Sequence, residues 1–162
     1  MIDLRDYVEP IAAFLDGELA AFRRRHPDIV SPHIALYSCP WSGWVSLCLD
    51  SEPQVDQNCP DFELVEFALF EAPAWGAEYE EHAVLEIVGV DGTSQVVDTD
   101  LEGDEGINRV FFEFLRSVLA SERTEASLVR LGLRPSRLGV QMLDSLFESS
   151  WKPIAGNGAV EV

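Results

Sequence analysis

Apolar residues recur every three or four positions near the start of the chain: Leu4, Val8, Ile11, Leu15, Leu19 and Phe22. That spacing gathers them on one stripe and predicts an amphipathic helix over residues 3–25. Arg23, Arg24 and Arg25 fall in its last turn, where cations offset the negative end of the helix dipole, and Pro27 then stops it. A second stripe, Ile107, Val110, Phe111, Phe114, Leu115, Val118 and Leu119, predicts a helix over 105–121, with Asp104 as its N-cap and Glu105 in its first turn. A shorter helix over 124–131 should end at Gly132.

Between the two stripes the period changes to two. In 33–38, Ile34 and Leu36 alternate with Ala35 and Tyr37; in 44–50, Val45, Leu47 and Leu49 alternate with Trp44, Ser46 and Cys48. With Pro40 and Gly43 marking a turn between them, the two runs predict an antiparallel hairpin. Residues 84–90 and 95–98 predict a second hairpin about Asp91-Gly92. The apolar run 62–70 has no decisive period and suits a strand or a helix. Residues 51–61, 71–82 and the acidic stretch from Asp98 to Gly106 read as loop or irregular chain, and 138–143 as a last strand. The tail from about residue 155 should be disordered. The expected fold class is α+β: one domain spanning 1–162, with a mostly antiparallel sheet containing 33–38, 44–50 and 84–98 packed against two long amphipathic helices.

Charge changes the picture from fold to function. There are 29 acids and 11 Lys and Arg, for a formal net charge of −18. The imbalance is local: between His26 and Asn108 there is no Lys or Arg, yet eighteen acids, so the flanking segments are neutral and the middle carries the whole net charge. Such a field repels nucleic-acid phosphates and anionic headgroups and attracts basic partners. Direct binding to nucleic acid or membrane is therefore not expected. No apolar run approaches the roughly 20 residues that span a bilayer, and the N-terminus has no basic stretch ahead of an apolar one. The expected compartment is the cytoplasm.

The candidate chemistry is thin. Cys39, Cys48 and Cys59 are an odd count without zinc-type spacing, and read as buried structural thiols. Cys39-Pro-Trp-Ser has the form of a monothiol redox motif but is followed by a strand pattern, not by the helix that lowers a redox thiol's pKa. No glycine-flanked nucleophile, phosphate-cradling loop or dinucleotide fingerprint is present. If the acids from Asp98 onward formed a calcium loop, its twelfth position would be Arg109 in place of glutamate. No catalytic residue, metal ligand or cofactor is expected. Tryptophan and tyrosine among carboxylates instead suit an interface that takes Lys and Arg. The expected partner-binding residues are Glu63, Glu66, Trp75, Glu78, Tyr79, Glu80, Glu81, Asp98, Asp100, Glu102 and Asp104, with Trp75 as the aromatic anchor.

The order of segments resembles a known group. An opening helix leads into HIALYSCPWSGWVSLCLD, then the acidic EAPAWGAEYEEH, the late helix INRVFFEFLRSVLASE and the closing LGVQMLDSLFESSW. This layout resembles the small acidic immunity proteins of bacterial polymorphic-toxin systems, in particular the DUF4303-like group. The resemblance implies a non-enzymatic antitoxin that binds and neutralises a cognate basic toxin or effector. It carries over no catalytic residue, and the lack of any base in the middle segment is a departure the group does not require. Two alternatives remain open: a nucleic-acid mimic, whose carboxylates would stand in regularly spaced rows, and a hydrolase or transferase, which would need a deep pocket with a perturbed histidine or carboxylate.

Overall fold

The computed structural model describes residues 1–51, 66–78, 84–98, 103–143 and 145–153; for Ala77, Glu78, Asp98, Gly103 and Asp104 it describes the backbone alone. The elements run β1 (Ile2–Asp3), α1 (Arg5–Arg25), β2 (His33–Cys39), β3 (Trp44–Asp50), β4 (Glu66–Glu71), α2 (Pro73–Glu78), β5 (Val84–Val88), β6 (Ser94–Asp98), α3 (Gly103–Leu119), α4 (Glu122–Leu131), β7 (Arg137–Met142) and β8 (Glu148–Trp151), with one 3-10 turn at Pro40–Ser42. The fold is α+β, as the two periodicities predict. No helix among the described residues is long and apolar enough to cross a membrane.

The helix ends follow local chemistry. Arg23 donates to the carbonyls of His26, Pro27 and Ile29, and so caps the chain that leaves α1. Ser121 accepts from the Thr124 N–H at 3.3 Å at the start of α4, and Gly132, left-handed at φ 67°, closes it. α3 begins at Gly103, so Asp104 lies inside its first turn and not at the cap; a shift of one or two residues at a helix end is the usual error of reading caps from sequence.

Among the described residues four of six strand pairings are antiparallel, but they divide into two sheets where one was expected. The five-stranded sheet has the order β4-β3-β2-β7-β8, with β7 parallel to β2. The 84–98 hairpin belongs to a separate three-stranded sheet, β1-β5-β6, because β1 pairs parallel with β5 through Ile2 opposite Ile87. β1 is two residues long, below the length at which a strand shows in a hydropathy pattern. The segment 71–82, expected to be irregular, contains α2. Pro73 at its first position is favourable, because that N–H has no helical partner to lose.

Both sheets and the helices share one core. Ile11, Leu15, Leu19 and Phe22 of α1 meet Ile107, Phe111, Leu115 and Val118 of α3 over Ile34, Leu36, Val45, Leu47, Leu138 and Val140, with Ile2, Leu85 and Ile87 joining from the smaller sheet. The other face of the five-stranded sheet carries a second cluster, Ala35, Tyr37 and Cys48. Every residue of β2 is buried, so its alternation divides two buried faces and not core from solvent.

Candidate functional site

The expected partner-binding residues fall on three kinds of position. Glu63, Tyr79, Glu80, Glu81, Asp100 and Glu102 lie outside the described residues. Glu78 ends α2, Asp98 ends β6 opposite Val84, and Asp104 is in the first turn of α3. Only Glu66 and Trp75 have described side chains, and they behave differently from one another.

Trp75 is not an exposed anchor. It is 1% exposed, with ring centroids 4.9 Å from Tyr7 and 4.7 Å from Phe111, both edge-on, and 6.4 Å from Phe114. The acids around it in sequence suggested a surface position, but α2 turns the indole inward between α1 and α3. It locks the start of the acidic segment to the core.

Glu66 opens β4 and lies half-buried where β4 meets the end of α1. One carboxylate oxygen accepts from Arg25 Nη2 at 2.6 Å and Nε at 2.9 Å; the other meets the His26 ring nitrogen. The Arg25 hydrogen bond, then that from His26, holds its carboxyl below the usual glutamate range. Glu66 is thus engaged within the chain and fastens β4 to α1. A depressed carboxylate stabilises the fold fully above its unfolded pKa, and the contribution is lost as pH falls through the lower folded value. Glu66→Gln should therefore cost less than about 1 kcal/mol at pH 7, as exposed pairs do, and wild type and variant should converge in acid. Urea melts at pH 7 and below pH 4 check this; a gap that widens in acid would contradict it.

β4 holds residues that the hydropathy pattern did not single out. Its core-side residues are half-buried, and Phe70 packs on Phe14 of α1 at 5.7 Å. On the opposite face Phe67 is 64% exposed and Leu69 49%, followed by exposed Glu71. Both faces are apolar in EFALFE, so the sequence could not say which one looked outward.

Nucleophilic chemistry finds little support. Cys39 and Cys48 are buried. Burial pushes the Cys48 thiol up to about 11, which leaves it protonated and inert at neutral pH. Cys39 does precede a helical turn, but a 3-10 turn of only three residues, and its Sγ donates to Ser42 Oγ at 3.2 Å. Asp50, His33 and Arg137 lie side by side on β3, β2 and β7, with His33 and Asp50 buried. Two surface concavities of about 210 and 180 Å³ are smaller than an ordinary ligand pocket. The first lies between α3 and the β5–β6 turn and is lined by Arg109, Glu113, Asp91 and Gln95; the second is largely apolar and includes Trp151 and Leu128. Among the described residues no three His, Cys, Asp or Glu side chains are grouped to hold a metal ion.

The ion pairs show where the charge stays. Between described residues, Arg5 pairs with Asp3, Arg116 with Glu113, Arg123 with Glu9 and Arg130 with Asp16, all outside the base-free segment. Arg25 with Glu66 is the one arginine pair among them that reaches into that segment. Compared with known proteins, the chain matches no family model, no curated protein and no solved structure.

Proposed function

We propose that the chain is a non-enzymatic acidic binding protein that neutralises a basic protein, a toxin or effector, by direct contact, as the resemblance to small immunity proteins implies. One observation carries this reading. The sequence puts eighteen acids and no Lys or Arg between His26 and Asn108, and between described residues four arginine–carboxylate pairs, Arg5–Asp3, Arg116–Glu113, Arg123–Glu9 and Arg130–Asp16, close outside that segment. Uncompensated like charge weakens a compact state through self-repulsion, and a basic partner would relieve it.

The contact surface is the base-free segment around residues 63–81 and 98–105, without Trp75. Glu78, Glu80, Glu81, Asp98, Asp100 and Asp104 supply long-range attraction, which acts mainly on the association rate. Reversing Glu78, Glu80 and Glu81 to Lys should slow association by about tenfold or more at low salt and flatten its salt dependence. The test is to isolate the partner from the native host, identify and purify it, and follow association by stopped flow at several ionic strengths. An acidic partner, or an association rate that the reversals leave unchanged, would overturn the proposal.

A further inference from the structure

β4 is an edge strand: it pairs with β3, and among the described residues no strand pairs with its other side. The register fixes which backbone groups face outward. Ala72 N–H donates to Gly43 O at 2.7 Å, and hydrogen-bonded pairs alternate along an antiparallel ladder. Counting from that pair, Phe70, Ala68 and Glu66 are bonded to β3 opposite Val45, Leu47 and Leu49. The N–H and C=O groups of Phe67, Leu69 and Glu71 therefore point away from the sheet. These same three residues carry the exposed side chains of the strand.

An edge with outward hydrogen-bonding groups and exposed apolar side chains is the arrangement that natural sheets avoid, by placing Lys, Pro or a bulge there. β4 has none of the three. Its six residues, EFALFE, pair without interruption, and Glu66 and Arg25 pin its first residue. A second copy of this chain is a poor occupant, because each copy brings a net charge of −18 to the contact. A basic segment is a good one, since the strand lies within a stretch that holds no Lys or Arg.

We propose that β4 is a docking strand, on which a basic partner lays an extended segment that continues the five-stranded sheet. This rests on the reading of the chain as a binder of basic proteins and adds the mode of binding. The incoming strand exchanges main-chain hydrogen bonds with Phe67, Leu69 and Glu71. Alternate side chains then fall on one face, so apolar residues of the partner cover Phe67 and Leu69, while its Lys or Arg residues reach Glu71 and the acids beyond.

The test uses the full chain and a displayed library of random decapeptides as probe. Enriched peptides should carry two apolar residues spaced two apart, with Lys or Arg two residues beyond them on the same face. Phe67→Thr with Leu69→Thr keeps the charge and a strand-forming residue, and should weaken the enriched peptides by about tenfold or more, as loss of one buried large side chain does. Leu69→Pro removes an outward N–H without removing a ladder bond to β3, and should abolish binding while the chain stays folded. Amide exchange gives an independent readout: bound peptide should slow Phe67, Leu69 and Glu71 and leave Ala68 and Phe70 unchanged. Equal binding to all variants, or protection centred elsewhere, would overturn β4 as the docking strand. If the enriched peptides are basic and respond only to reversal of Glu78, Glu80 and Glu81, docking on β4 fails but binding of basic partners stands. Enrichment of acidic peptides would overturn both.

Discussion

Trp75→Ala is expected to remove about 3–5 kcal/mol of folding stability, the range for losing a large aromatic from a packed core. A domain of this size has only about 5–15 kcal/mol in total, so the variant should melt far earlier or populate unfolded chain at room temperature. The indole is enclosed by Tyr7 from α1 and by Phe111 and Phe114 from α3, so truncation opens a cavity that three elements would have to collapse to fill. Its Nε1 has no hydrogen-bond partner among the described residues, and a buried unmade bond is itself a cost. Trp75→Phe should therefore retain much more stability than Trp75→Ala, since it keeps a ring and removes the unpaired donor. Phe111→Ala belongs to the same range, and because the two rings touch, the double variant should lose less than the sum of the singles. Urea melts of the four variants decide it. A Trp75→Ala loss below about 1 kcal/mol would mean that the indole is an exposed residue after all.

Much of the fold could be read from periodicity, and the misreadings have physical causes. α1, α3, α4 and the two hairpins show their own spacing or turn residues, Gly132 and Asp91-Gly92 among them. β7 could be seen as a strand, but not that it inserts beside β2 about a hundred residues away, because pairing across such a distance is set by tertiary packing. α2 escaped because six residues are too few to show a helical period; the helix is held by burial of Trp75 and not by propensity. The candidate site divides the same way. Net charge is additive along a chain, so the acidic middle was plain without any structure. Exposure is not: neighbouring glutamates made Trp75 look like surface, and the apolar character of both faces of β4 concealed that Phe67 and Leu69 look outward.

Gly43→Ala should destabilise the fold more than the same change at Gly132, although both glycines are left-handed, at φ 69° and 67°. Each substitution places an L side chain in a conformation that costs about 1–2 kcal/mol. At Gly132 nothing lies within 4 Å of the new Cβ, so the cost should end there. At Gly43 the new Cβ would stand 2.7 Å from Ala72 O and 3.2 Å from Pro73 Cα, backbone atoms that cannot rotate aside. Relief requires the β2–β3 turn and the start of α2 to move apart, which adds about 1–3 kcal/mol of overpacking. It also strains two bonds that meet at this residue: Gly43 N–H to Pro40 O at 2.9 Å, closing the 3-10 turn, and Ala72 N–H to Gly43 O at 2.7 Å. The second is the bond from which the register of β4 is counted, so the damage should reach the docking strand. Thermal melts measure the difference: Gly43→Ala should lie several degrees below Gly132→Ala, at roughly 2–4 °C per kcal/mol for a chain of this length. Amide exchange should show the loss beginning at Ala72 and Phe70. Equal melting temperatures would mean that the close approach of the hairpin turn to α2 relaxes without cost, and that β4 is not held in register from this end.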